Sequence, residues 1–258
     1  MRRGALAVTI AVTLVFGVSG ASVASVLIPY IASTRQTAQA DFVFDDDTHL
    51  RITLTETTPA TASTLASAAA ILTSIGFRLP DQTVIVLPGT VTIAVGSSSA
   101  GFSKGDLGAG EDVSGEWGAT IGGEKPMDSV GSFDFVSANG AQVEKFAGAN
   151  RDSNGNLNGP QGGLLDDSGV RGGLGVIDNS VEIFLTLDAD PSTSALDELN
   201  TTQQNAFLQS LWTDSIVEYG SNAAFGHPVP EPGTLLLLGS GLVGIVGYGK
   251  LRFGRKKR

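Results

Sequence analysis

Four short stretches of this chain hold side chains whose types and spacing could do chemistry. His49 follows Asp45-Asp46-Asp47, and an imidazole beside carboxylates is the base-and-orienter half of a hydrolytic triad that a serine would complete. Asp152, Asn154, Asn156 and Asn158 place oxygen-bearing side chains at alternate positions, like the first half of a calcium loop. Leu157 stands where such a loop turns on glycine, and Gly163 where it has a bidentate Glu, so a turn rich in Gly and Asn explains the same letters. Asp45-Asp46-Asp47 and Asp166-Asp167 are further groups of oxygen donors for calcium, with plain surface charge as the simpler reading. Glu116 adjoins Trp117, a carboxylate beside an aromatic ring that could stack on a sugar, although a tryptophan is more often a core anchor.

None of these stretches amounts to a catalytic signature. The chain has two histidines, His49 and His227, and they do not form a pair at metal-binding spacing. It has no Gly-x-Ser-x-Gly elbow, no P-loop and no dinucleotide fingerprint. With no cysteine, it has no disulfide, no thiolate chemistry and no Cys-based metal site. The expectation is therefore a protein that is not an enzyme and has no cofactor, with calcium as the one cation worth testing.

Charge narrows the partners. Residues 41–227 carry seven Lys or Arg against twenty-five Asp or Glu, a net of −18, whereas the whole chain stands at −10 because its ends are basic. A segment this acidic repels nucleic acid and anionic lipid, so neither is expected as its partner.

The elements that must position these groups read as β. Leu50, Ile52 and Leu54 alternate with Arg51, Thr53 and Thr55; Val91, Ile93 and Val95 alternate with Thr92 and Ala94. Val181, Ile183, Leu185 and Leu187 form a third series, and 83–87, 132–136 and 215–219 are further strand candidates between Gly, Asn, Asp and Ser turns. Short strands at this spacing predict a mainly β fold, an antiparallel, jelly-roll-like β-sandwich over residues 41–228. Two stretches have helical composition: 64–75, rich in Ala and Leu, and 194–211, where Ser194 and Asp197 make a partial capping box.

Both ends of the chain address membranes. Met1-Arg2-Arg3 precedes an apolar stretch from Gly4 to about Ile31, the pattern of an export leader. Two small-residue sites fit signal peptidase, Ser22-Val23-Ala24 and Ala38-Gln39-Ala40. The composition change at Asp41 favours the second and gives a leader over 1–40, with an uncleaved N-terminal anchor as the alternative. At the other end, residues 229–258 contain Pro230-Glu231-Pro232-Gly233-Thr234, an uncharged run to Gly249, and the basic residues Lys250, Arg252, Arg255, Lys256, Lys257 and Arg258. The prolines favour a stiff, extended, accessible strip. As a helix the run from Thr234 to Gly249 reaches only about 24 Å against a hydrocarbon core of about 30 Å, so it spans with help from snorkelling and local thinning. The basic cluster then stops on the cytoplasmic side.

This tail resembles the PEP-CTERM sorting tag of exported Gram-negative proteins: the Pro-Glu-Pro core, the Gly-Thr after it and the Lys/Arg-rich end all match. The resemblance implies a membrane-embedded exosortase that reads Pro230, Glu231 and Pro232, with Gly233 and Thr234 as secondary contacts, and removes the anchor. The protein would pass through the inner membrane, be held there transiently by its C-terminal helix, and continue to the cell surface or an extracellular matrix of exopolysaccharide and biofilm. Ile75-Gly76-Phe77-Arg78-Leu79-Pro80, Asp112-Val113-Ser114-Gly115-Glu116-Trp117-Gly118, Asn156-Leu157-Asn158-Gly159-Pro160 and Val217-Glu218-Tyr219-Gly220-Ser221 are similar to phrases in the β-sandwich domain of many such proteins. That likeness implies architecture and no activity. Alternative roles for 41–228 are a carbohydrate- or calcium-binding module, or a secreted glycan-active enzyme with two facing carboxylates about 5–9.5 Å apart.

Overall fold

Alternation of apolar and polar residues builds most of the strands. The computed structural model describes residues 24–59, 68–80, 82–102, 105–120, 125–127, 131–139, 144–146, 162–165, 175–193, 195–220 and 224–229. In chain order the strands are β1 (Ser25–Ala32), β2 (Thr37–Phe44), β3 (His49–Glu56), β4 (Leu72–Phe77), β5 (Val84–Ile93), β6 (Ser98–Ala100), β7 (Gly118–Ala119) and β8 (Lys125–Met127). Then come β9 (Gly131–Ser137), β10 (Glu144–Lys145), β11 (Leu164–Leu165), β12 (Val176–Asp178), β13 (Ser180–Asp188), helix α1 (Thr201–Ser210), β14 (Ser215–Tyr219) and β15 (Ala224–Pro228). In β3, Leu50, Ile52 and Leu54 are buried and Arg51, Thr53 and Thr55 are not; Val181, Ile183, Leu185 and Leu187 do the same in the neighbouring β13.

The expectation of a mainly β, largely antiparallel domain holds, but the strands form one rolled sheet instead of two stacked ones. Its path is β10-β7-β9-β4-β14-β15-β1-β2-β3-β13-β5, and the sheet is nearly closed, like a barrel. One stretch of chain joins its two ends. Val113 N–H donates to Val91 O (2.9 Å), Gly110 N–H to Ile93 O (2.7 Å) and Ile93 N–H to Glu111 O (3.0 Å), so 110–113 lies along β5. After a 3-10 turn at Ser114–Glu116, the same stretch becomes β7 and pairs with β9. The interior is filled by side chains, as expected for a small barrel. Phe77 meets Phe42 and Phe207 edge to face, each with ring centroids 6.0 Å apart, and Phe207 of α1 also meets Phe44 at 5.9 Å.

Three local expectations change. Residues 72–75, read as the end of a helix, belong to β4, buried on both faces between β14 and β9; helix composition yields to two-sided packing. The second helix begins at Thr201, with Asn200 and Gln203 forming a complete capping box, because Asp197 is already committed to a loop: its N–H donates to Asp188 and its carboxylate accepts from Thr193. The candidate strands at 83–87 and 91–95 are one strand, β5. Its register against β13 shifts between Phe184 and Thr186, opposite the part of β5 that holds Pro88.

Residues 25–40 differ most from expectation. A leader ending at Ala40 would include all of β1 and half of β2, yet β1 joins β15 to β2 inside the sheet. Ile28, Tyr30, Ala38 and Ala40 are at most 1% exposed, and the Tyr30 hydroxyl lies 2.7 Å from that of Ser215. The leader proper, the apolar run after Thr234 and the basic end lie outside the described residues, among which no helix is long and apolar enough to cross a membrane.

One glycine is required by close approach. A Cβ on Gly76 would stand 2.7 Å from the Phe135 ring and 2.9 Å from Ile216 on the outer face of β4. Gly76→Ala is expected to destabilise the domain by about 1–3 kcal/mol through overpacking, read as a lower urea midpoint at unchanged slope.

Candidate functional site

The Asp45–His49 turn lies on the outside of the sheet, at the start of β3. His49 Nδ1 sits 2.7–2.8 Å from the Asp46 carboxylate, and Thr48 Oγ1 lies 3.1 Å from the same ring nitrogen. The Thr48 N–H bond, joined by bonds from His49, holds the Asp46 carboxyl down at about 2. Arg51 donates to Asp45 at 3.0–3.3 Å and reaches Glu182 at 3.8 Å. These groups border a groove of about 310 Å³ lined by Asp45, Asp46, His49, Leu50, Pro88, Thr90, Phe184, Leu185 and Thr186. The orienting half of a triad is therefore present, but among the described residues the hydrogen bonds of the ring go only to Asp46 and Thr48, and no serine reaches it. With His49 and Asp46 both more than half exposed, the site also lacks the exclusion of water that hydrolytic catalysis uses. Among the described residues no three His, Asp or Glu side chains are grouped to hold a metal ion.

Glu116 and Trp117 are both fully buried, in the segment that closes the barrel. Neither offers a face to a sugar, and Trp117 belongs to the central apolar cluster. Gly162, with φ +77°, packs so closely on Glu116 that a Cβ there would meet its Cβ at 2.6 Å. The other phrases singled out in the sequence serve packing where they are described. Arg78 lies 4.8 Å over the Phe133 ring and bonds Asp214 at 2.7 Å; Glu218 is buried on β14 and accepts from Ser74 at 3.0 Å. Asp152, Asn154, Asn156 and Asn158 lie outside the described residues, as do Asp166 and Asp167.

The remaining candidate is the C-terminal tail, and the structure shows where it begins. β15 is the last strand and pairs with β14 on one side and β1 on the other. Tyr30 stands opposite Pro228, and Val229 N–H donates to Pro29 O at 2.9 Å. Pro230 follows without a spacer; Pro230, Glu231, Pro232, Gly233 and Thr234, and the basic residues from Lys250 to Arg258, lie outside the described residues.

Residues 228–252 match the family model of the PEP-CTERM protein-sorting motif. The chain is a protein with a PEP-CTERM sorting domain. The motif makes it an exported substrate of exosortase, associated with the membrane and transiently anchored through its C-terminus. No curated protein and no solved structure matches the chain. Sequence reasoning found the tag and missed β1, the strand against which the chain enters it. The available signal was the alternative small-residue site ending at Ala24, one residue before β1 begins.

Proposed function

We propose that this PEP-CTERM protein is a non-catalytic, acidic β-barrel domain delivered to the cell surface or the exopolysaccharide matrix of a Gram-negative bacterium. The observation that carries the reading is the sorting motif joined directly to the last strand of a filled barrel. Signal peptidase releases the leader after Ala24, because Ser25 opens a strand with neighbours on both sides. Exosortase then reads Pro230, Glu231 and Pro232 and removes the anchor with its basic stop. The domain needs no cofactor in this role, and its excess of carboxylates keeps it soluble and away from nucleic acid.

Mass spectrometry of both termini, on protein recovered separately from inner membrane, outer membrane and medium of the native host, tests this. The expected mature chain starts at Ser25, ends between Pro230 and Thr234, and lies outside the inner membrane. A chain still ending in Arg255-Lys256-Lys257-Arg258 and confined to the inner membrane would make the segment a permanent anchor and refute delivery to the surface.

A further inference from the structure

We propose that the groove beside His49 holds a neutral, β-linked glucosyl unit of a polysaccharide, stacked on the ring of Phe184. The proposal rests on the reading of a domain delivered to the exopolysaccharide matrix, and adds to it the place where such a polymer is held.

A local irregularity of the sheet makes the groove. β13 lies between β3 and β5, with Phe184 opposite Arg51 on one side and Thr90 on the other. Two residues on, Thr186 stands opposite His49 and Val86, so Leu87, Pro88 and Gly89 of β5 face Leu185 alone. Surplus residues of this kind bulge from the ladder and re-aim the side chains around them. Gly89 turns inward, where a Cβ would stand 2.7 Å from the ring of Phe146 in the core. Pro88 is exposed and forms one wall of the groove, and the Asp45–His49 turn forms the other, across β13.

The groove carries two kinds of surface. Phe184 is more than a third exposed, while Ile183 and Leu185 on either side of it point into the core, so its ring is an apolar platform on the wet face of the sheet. Around it stand neutral groups that bond hydroxyls. Thr90 is exposed, and its hydroxyl, like that of Thr186, both gives and accepts. With Nδ1 tied to Asp46, the His49 ring keeps Nε2 for a ligand, and the ring is more than half exposed.

The charges of the groove are compensated within it. Asp46 accepts from Thr48 and His49, and Arg51 donates to Asp45 and reaches Glu182. An ionised ligand would have to displace these bonds, and an anionic one would also meet a segment with a net charge of −18. A pyranose fits the division of surfaces. Its C–H hydrogens lie against the negative face of an aromatic ring, while its hydroxyls radiate from the edge towards donors and acceptors. In a β-1,4-linked glucose chain every hydroxyl is equatorial, which leaves both faces of each unit lined with C–H. The volume of about 310 Å³ is at the lower end of ligand clefts, about 300–1,000 Å³, and suits a short segment of such a chain. The openness that argues against hydrolysis at His49 suits a polymer, which must leave the groove at both ends.

A saturation-transfer NMR titration with cellotetraose tests the site, on the full-length chain in a detergent without a sugar headgroup. The proposal expects saturable binding with Kd on the order of 1 mM, and at least about tenfold weaker binding of tetragalacturonic acid. Phe184→Leu keeps apolar bulk without a ring and is expected to weaken binding about tenfold, whereas Phe184→Tyr keeps it within about twofold. Thr90→Val, on the exposed rim, is expected to weaken it about fivefold, and stands as the second test if Phe184→Leu does not fold. No saturable binding of cellotetraose, equal binding of tetragalacturonic acid, or unchanged binding by a folded Phe184→Leu or Thr90→Val chain would overturn the proposal. Delivery is read separately, from the termini and cell fractions. A chain that binds cellotetraose but stays in the inner membrane keeps the site and loses delivery; a delivered chain that does not bind loses the site alone.

Discussion

Glu231→Ala leaves the barrel folded and stops removal of the tail, so the protein accumulates uncleaved in the inner membrane. Glu231 carries the only charge between His227 and Lys250, and it sits between two prolines that fix its surroundings. An enzyme that reads this strip has one carboxylate to recognise, and removing one partner of a desolvated charge pair costs about 2–5 kcal/mol, which is about 30-fold to about 5,000-fold in rate. The substitution lies beyond β15, the last described strand, so its effect on unfolding should stay within about 0.5 kcal/mol. Cell fractionation with mass spectrometry of the C-terminus is the readout. Processing of the variant to the wild-type end, at the wild-type level, would remove Glu231 from the recognised set.

The second large effect concerns where the mature domain begins. A chain of residues 25–229 is expected to fold cooperatively, and a chain of residues 41–229 is expected not to fold. The shorter chain loses β1 entirely, and with it the ladder that joins β15 to β2. Ile28 and Tyr30 are fully buried, and each such side chain contributes about 1.5–3 kcal/mol. The Tyr30–Ser215 hydroxyl bond adds about 1 kcal/mol, and Ala32, Ala38 and Ala40 are lost from the core as well. The total, about 4–7 kcal/mol before the cost of opening the barrel, is comparable with the whole stability of a domain, about 5–15 kcal/mol. Circular dichroism and urea unfolding of the two chains decide the matter; equal midpoints would show that residues 25–40 are dispensable and would return the leader boundary to Ala40.

The two results bear on one design. β1 is the first described strand and β15 the last, and the two are paired antiparallel. Completing the barrel therefore brings the start of the domain beside the place where the sorting motif begins.

The sequence alone determined the features whose physics is local. Two prolines around a lone carboxylate, an uncharged run and a basic end are properties of a few adjacent residues, and they located the sorting motif without any fold. The same holds for β3 and β13, where one face is wet and alternation shows which residues turn inward. Alternation disappears in β4, whose six residues are all buried, and its Ala- and Leu-rich approach then reads as helix. β1 and β2 were hidden because small and apolar residues behind a leader look like more leader; their pairing with β15 and β3 reveals them as walls of the barrel. The rolled sheet itself was a tertiary decision. It depends on residues 110–113 bonding to β5 before the chain turns into β7, contacts between stretches whose own letters say only that they are turns and short strands. Burial likewise settled Glu116 and Trp117, whose adjacency could suggest sugar chemistry until the rolled sheet placed both out of reach of solvent.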